Sequence, residues 1–273
     1  MSRASQIVIV VLLVAVLALG AAIVMRGRQP QRDPSQVLVY APCGMTSPIG
    51  AAVEAFREAR PDLNLVVKYD NAVILMRLIR GGDRPDVFMS PGELEMRQMV
   101  DEGFVAADTV RDFGTLDLVV FAPKTTPDLN SIQDLAKPHI KAIALADPEY
   151  NSVGYYAKQA LESLGIWDSI ADKVFLHEYP LAAVTEVTAG KVEAGITYLT
   201  CPLETAPEKA DASSVRIVAT IPRDAYSQIR CQIAALEVNK DRPAAQTFID
   251  FMVADEAQQA LAANGLLPAK ELK

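Results

Sequence analysis

The sequence predicts an α/β protein of two lobes with a ligand cleft between them, preceded by an N-terminal transmembrane helix. Three observations carry that expectation. Short apolar runs alternate with amphipathic ones along the body of the chain, the pattern of strands and helices in mostly parallel sheets covered on both faces. The alternation restarts after Leu116–Pro123 (LDLVVFAP), so the chain builds one unit, crosses to a second, and returns near Cys231–Glu237. Finally, no side chain from Ile7 to Met25 is charged or strongly polar. As a helix that run would cover about 28 Å, close to the hydrocarbon thickness of a bilayer. The expected division is an anchor over 1–28, a linker over 29–36, lobe 1 over 37–119, lobe 2 over 120–230, and a return to lobe 1 over 231–273.

The linker QPQRDPSQ is polar and carries two prolines. Val37–Ala41 then reads as a strand, and Ser47-Pro48 as a helix start, with Ser as N-cap and Pro in the first turn. Strands at Leu63–Tyr69 and Asp86–Met89 alternate with helices at Ala72–Arg80 and Glu93–Glu102. After the crossing, strands are expected at Lys141–Ala146, Val174–Glu178 and Val192–Tyr198, with helices at Ser152–Leu164 and Leu181–Gly190. Strands at Val215–Ile221 and Ile229–Glu237 come next. Helices at Arg242–Val253 and Asp255–Asn264 close the chain, with Gly265 placed as a C-terminal cap.

The chain has 273 residues, 51% hydrophobic and 22% charged, enough for two lobes with real cores. A formal net charge of −8 argues against a nucleic-acid track. It leaves a small anion open as ligand, because backbone dipoles at helix N-termini hold anions on acidic proteins. No Ser–His–Asp or Cys–His signature marks an enzyme; a pairing of Cys43 as nucleophile with His177 as base has no support in spacing. No resident cofactor is expected, and nothing points to an oligomer, so a monomer is expected.

Several stretches resemble the periplasmic molybdate-binding protein family, within the two-lobed type II solute-binding proteins of ABC transporters. These are VLVYAPCGM (37–45), RPDVFMSPGELEM (84–96), LADPEYNSVGYYAKQALESLGIWD (145–168), AGITYLT (194–200), VRIVATIP (215–222), and AQTFIDFM with AQQALAANGL near the end. The resemblance spans about Val37 to Leu267, and the stretch from Leu145 to Asp168 is its most specific part. It implies the type II periplasmic-binding-protein fold and a small inorganic ligand delivered to permease and ATPase subunits. The body would then lie on the periplasmic or extracellular face of the cytoplasmic membrane, anchored by its N-terminal helix. The charges flanking that helix, Arg3 before it and Arg26, Arg28 and Arg32 after it, favour the opposite orientation when counted alone. Cleavage near Ala18-Leu19-Gly20 stays open.

The same resemblance implies a ligand site at Cys43, Gly44, Met45, Asn71, Ala72, Val153, Gly154 and Tyr198. Ser152, Val153 and Gly154 would open the helix that offers backbone N–H groups. The family's two ligand serines are absent: the first loop reads Pro42-Cys43-Gly44-Met45, and the second has Ala72 at the serine position. Cys43, Cys201 and Cys231 all fall beside the cleft under this correspondence. Three thiols suggest a trigonal site for a thiophilic metal or metalloid carried as ligand, with a helix N-terminus activating Cys43. The alternatives are a Cys201–Cys231 disulfide with Cys43 spare, or structural cysteines around a molybdate- or tungstate-type oxyanion. A membrane-anchored sensor is the other functional alternative. Asn71 reads first as a helix cap and Tyr198 as a core residue with a polar tip. Met89, Met96 and Met99 fit core patterning.

Overall fold

Alternation along the first strand decides how lobe 1 is layered. In β1 (Gln36–Pro42), Val37, Val39 and Ala41 face one core, while Leu38 and Tyr40 face another. β3 (Val87–Ser90) repeats the split, with Val87 and Met89 on the first side and Phe88 on the second. A strand whose two faces are both apolar must be covered twice. On one side lie α1 (Thr46–Ala59), α8 (Pro243–Met252) and α9 (Asp255–Ala263); Phe56 of α1 meets the edge of Phe248 at 5.1 Å between ring centres. On the other lie α2 (Ala72–Arg80) and α3 (Glu93–Asp101), which supply Leu75, Met76, Ile79, Met96 and Met99.

These elements belong to a computed structural model in which residues 33–204 and 214–269 are described. The expected membrane helix from Ile7 to Met25 and the first half of the linker lie outside them. Among the described residues no helix is long and apolar enough to cross a membrane. The described residues from Val37 onward form one compact unit, and both lobes lie within it.

In this unit, the described residues form a six-stranded sheet in the order β11-β4-β10-β3-β1-β2 and a five-stranded sheet in the order β7-β6-β8-β5-β9. The first is completed by β2 (Asn64–Asp70), β4 (Arg111–Thr115), β10 (Cys231–Ala235) and β11 (Leu267–Pro268). The second comprises β5 (Leu118–Pro123), β6 (Ile143–Ala146), β7 (Val174–His177), β8 (Ala194–Tyr198) and β9 (Val215–Thr220). It carries α4 (Ser152–Ser163), the short α5 (Trp167–Ile170) and α6 (Pro180–Thr188), with α7 (Cys201–Glu204) after β8. The chain therefore passes between sheets between Thr115 and Leu118 and returns between Thr220 and Cys231.

The sheets are mixed rather than mostly parallel, a correction to the sequence reading. β1 is parallel to β3, and β6 to β7 and β8. The crossing strands break the pattern: β5 runs antiparallel to β8 and β9, and β10 to β3 and β4. Each enters its sheet from the other lobe, so its direction is set by the crossover and not by a βαβ connection. The first helix also differs. It begins at Thr46, without a side-chain cap, because a 3₁₀ turn over Cys43–Met45 already starts the winding, and Ser47 lies inside it. Gly265 comes after the last helix with φ of 91°, and Leu266 N–H donates to Leu261 O at 3.1 Å, the glycine-terminated end expected there.

Candidate functional site

Three helices begin at the same place between the lobes, and their first turns wall a cavity of about 820 Å³. α2 starts from Asn71, whose side-chain oxygen accepts from Val73 N–H at 2.9 Å, so the polar cap is confirmed. The first intrahelical bond of α2 is Leu75 N–H to Asn71 O. The amides of Ala72 and Ile74 precede it and have no acceptor within the helix. In α4 the corresponding bond is Tyr155 N–H to Asn151 O, which leaves the amides of Val153 and Gly154 ahead of it. Asn151 is fixed by its own amide group, donating to Glu178 O at 2.9 Å. α6 opens on Pro180, whose ring sets the first-turn geometry.

Of the residues singled out in the sequence, Cys43, Gly44, Met45, Asn71, Ala72, Val153, Tyr198 and Cys201 line this cavity. Gly154 lies behind the wall: a Cβ there would meet Ala146 O at 2.2 Å, so only glycine lets α4 begin so close to the end of β6. Tyr198 is buried, and its hydroxyl shares a hydrogen bond of 2.9 Å with Ser152 Oγ. Burial, then the neighbouring Glu95, pushes its pKa well up, so the phenol stays neutral.

The structure does not show the expected three-thiol centre. Among the described residues no set of three His, Cys, Asp or Glu side chains is placed to hold a metal ion. Cys231 is the reason. It is fully buried in β10, outside the cavity lining, with its thiol directed to Pro91 O at 3.5 Å. Burial, reinforced by Asp112 and Glu95, drives its pKa well up and holds it as a thiol. The disulfide alternative is not formed either, since no bridge joins any of the three cysteines. Cys43 and Cys201 remain as half-buried and buried cavity residues; Cys201 Sγ lies 2.8 Å from where a Cβ on Gly44 would stand.

Glu95 is the functional candidate that the sequence did not reveal. It comes from α3 of lobe 1, is 2% exposed, and lines the cavity. Its Oε1 accepts from Ser152 N–H at 2.9 Å, taking one first-turn amide of α4 across the cleft, while its Oε2 is buried with no partner. Desolvation raises its pKa to about 7, against the opposing pull of hydrogen bonds from Ser152 and its own amide. Gly92, just ahead of α3, allows this approach: a Cβ there would stand 2.5 Å from Ser152 Cβ. Further out, Arg77 of α2 reaches Tyr179 OH at 2.5 Å and forms an ion pair with Glu178.

The arrangement matches known proteins in sequence and in fold. YvgL, a lipoprotein of Bacillus subtilis (strain 168) named for ABC transporter substrate binding, is 27% identical over 198 residues, 72% of this chain and 73% of its own. The molybdate-binding protein ModA of Escherichia coli (strain K12) is 24% identical over 232 residues, 83% and 87% of the two chains. Among solved structures, the periplasmic molybdate-binding protein of Azotobacter vinelandii superposes with a TM-score of 0.68 at 18% identity, over 85% of this chain and 98% of that one, a likeness of fold. Residues 37–267, nearly the whole described body, match the bacterial extracellular solute-binding proteins, and the chain belongs to that family.

Proposed function

We propose that this protein captures a small oxyanion between its lobes and presents it to the permease of an ABC-type importer on the outer face of the cytoplasmic membrane. One observation carries the reading: the first turns of α2, α4 and α6 converge on a single cavity. Among the described residues lining it there is no Lys, Arg or His. An anion there is held by helix-terminal amides, which work on an acidic protein because they carry partial and not formal charge. The names of YvgL and ModA support the importer and the oxyanion class.

The absence of the family's serines weakens discrimination without removing the amides. The ligand is therefore a tetrahedral oxyanion of the molybdate or tungstate kind, bound chiefly by backbone. A second reading rests on the cavity's far wall, where Leu181, Val184 and Ala189 of the α6 region extend the space beyond what one inorganic anion fills. An organic anion would place its charged head on the amides and its body along α6.

Thermal unfolding of the full chain with molybdate, tungstate, sulfate, phosphate and a phosphate monoester tests both. At a hundredfold excess over Kd, binding stabilises by about 2.7 kcal/mol. The expected result is a shift with at least one inorganic oxyanion that disappears in Ala72→Asp. That change adds a carboxylate where α2 tolerates it and the ligand does not. A shift with the monoester alone supports the second reading. No shift with any anion contradicts both.

A further inference from the structure

Glu95 poses a problem for the oxyanion reading, on which this inference rests. An ionised carboxylate in the wall of an anion site accepts hydrogen bonds only, and it faces a ligand that also only accepts. The site nevertheless buries it completely and leaves Oε2 without a partner. A buried polar atom with nothing to bond is costly unless something absent from the protein itself completes it. Glu95 lines the cavity and its other oxygen is committed to Ser152 N–H, so a ligand held in the cavity is an available partner for Oε2.

We infer that Glu95 is a hydrogen-bond donor to the ligand: its carboxyl carries a proton on Oε2 and donates to an oxygen of the bound oxyanion, so that capture of a fully deprotonated oxyanion takes up one proton. One Glu thereby does part of the work of the missing serine hydroxyls, but only while protonated.

Its surroundings keep this proton distinct from others. Ser152 and Tyr156 of α4, Tyr198 of β8 and Cys231 of β10 face Glu95. Burial raises both tyrosines and the cysteine, so they stay protonated over the range in which Glu95 titrates. Behind them lie Glu93 and Asp112, both approached by Arg230, at 3.8 and 2.6 Å respectively. Among the described residues Glu95 has no cation to hold it ionised.

Isothermal titration of the full chain with molybdate and with tungstate, between about pH 6 and pH 9 and in buffers of different ionisation enthalpy, tests the inference. Affinity is expected to fall about tenfold per pH unit above about pH 7, with close to one proton taken up per anion at pH 8. In Glu95→Gln, whose amide donates at every pH, affinity should be flat and exceed the wild type at pH 9 by at least tenfold. Binding without proton uptake in the wild type, or with the same slope in both proteins, overturns the role of Glu95 and leaves the oxyanion reading intact. Absence of binding by either protein at pH 6 overturns both.

Discussion

At Glu95, burial and hydrogen bonding act on the same carboxyl in opposite directions, and burial wins. A folded-state pKa of about 7, above the ordinary 4.5, means that the native protein binds its proton more tightly than the unfolded chain. The stability this contributes is fully present below about pH 4.5 and is lost as the pH rises through about 7. Without ligand, Glu95→Gln should therefore unfold at higher denaturant than the wild type at pH 8, by up to roughly 3 kcal/mol, and match it near pH 4.5. Urea unfolding of both proteins at the two pH values checks this; an equal difference at both would show that Glu95 is not the titrating group. The sequence conceals such a residue. A Glu in the first turn of a helix ordinarily answers the helix dipole from solvent. Its burial comes from Ser152, far along the chain and in the other lobe. Asn71 and Tyr198 are legible because a local rule, capping or strand-end placement, covers them. Cys231 looks like its cleft neighbours in sequence, but in β10 its thiol is fully buried against Pro91 O and is not part of the cavity lining.

Among the elements, α4 depends most on one atom's absence. Its first turn rests on the end of β6 so closely that a Cβ on Gly154 would overlap the Ala146 carbonyl at 2.2 Å, a fixed backbone atom. Gly154→Ala should shift the start of α4, costing roughly 1–3 kcal/mol in the urea midpoint and weakening anion binding through the displaced amides. Unchanged stability would mean that α4 does not rest on β6 this closely. A helix with a chemical start signal is readable in advance, as at Asn71. Strand β4 is not: RDFGT is polar at its ends and holds a glycine, and becomes a strand by pairing with β10 and β11. Ser47-Pro48 misleads because both residues suit either a cap or the first turn of a helix already under way.

For the whole molecule, the restart of the strand–helix alternation is enough to foresee two lobes, since each unit must cover both faces of its own sheet. Strand direction is not foreseeable, because hydrophobic patterning is the same whichever way a strand runs; β5 and β10 owe their antiparallel course to the crossings between lobes. Around the cavity the lobes meet in several places, Gly44 against Cys201 and Gly92 against Ser152 among them. Deep inside, Glu95 meets Ser152. At the rim, Arg77 pairs with Glu178 with both side chains about half exposed, a contact worth little in solvent. The acidic net charge is no obstacle, since the site offers amides and a proton in place of cations.

The most direct test of oxyanion capture is the anomalous scattering of tungstate in crystals of the protein grown with it. One strong peak is expected in the cavity between the first turns of α2 and α4, within hydrogen-bond reach of the amides of Ala72 and Val153. A tungstate found only on the outer surface, with the cavity free of it, would overturn oxyanion capture between the lobes.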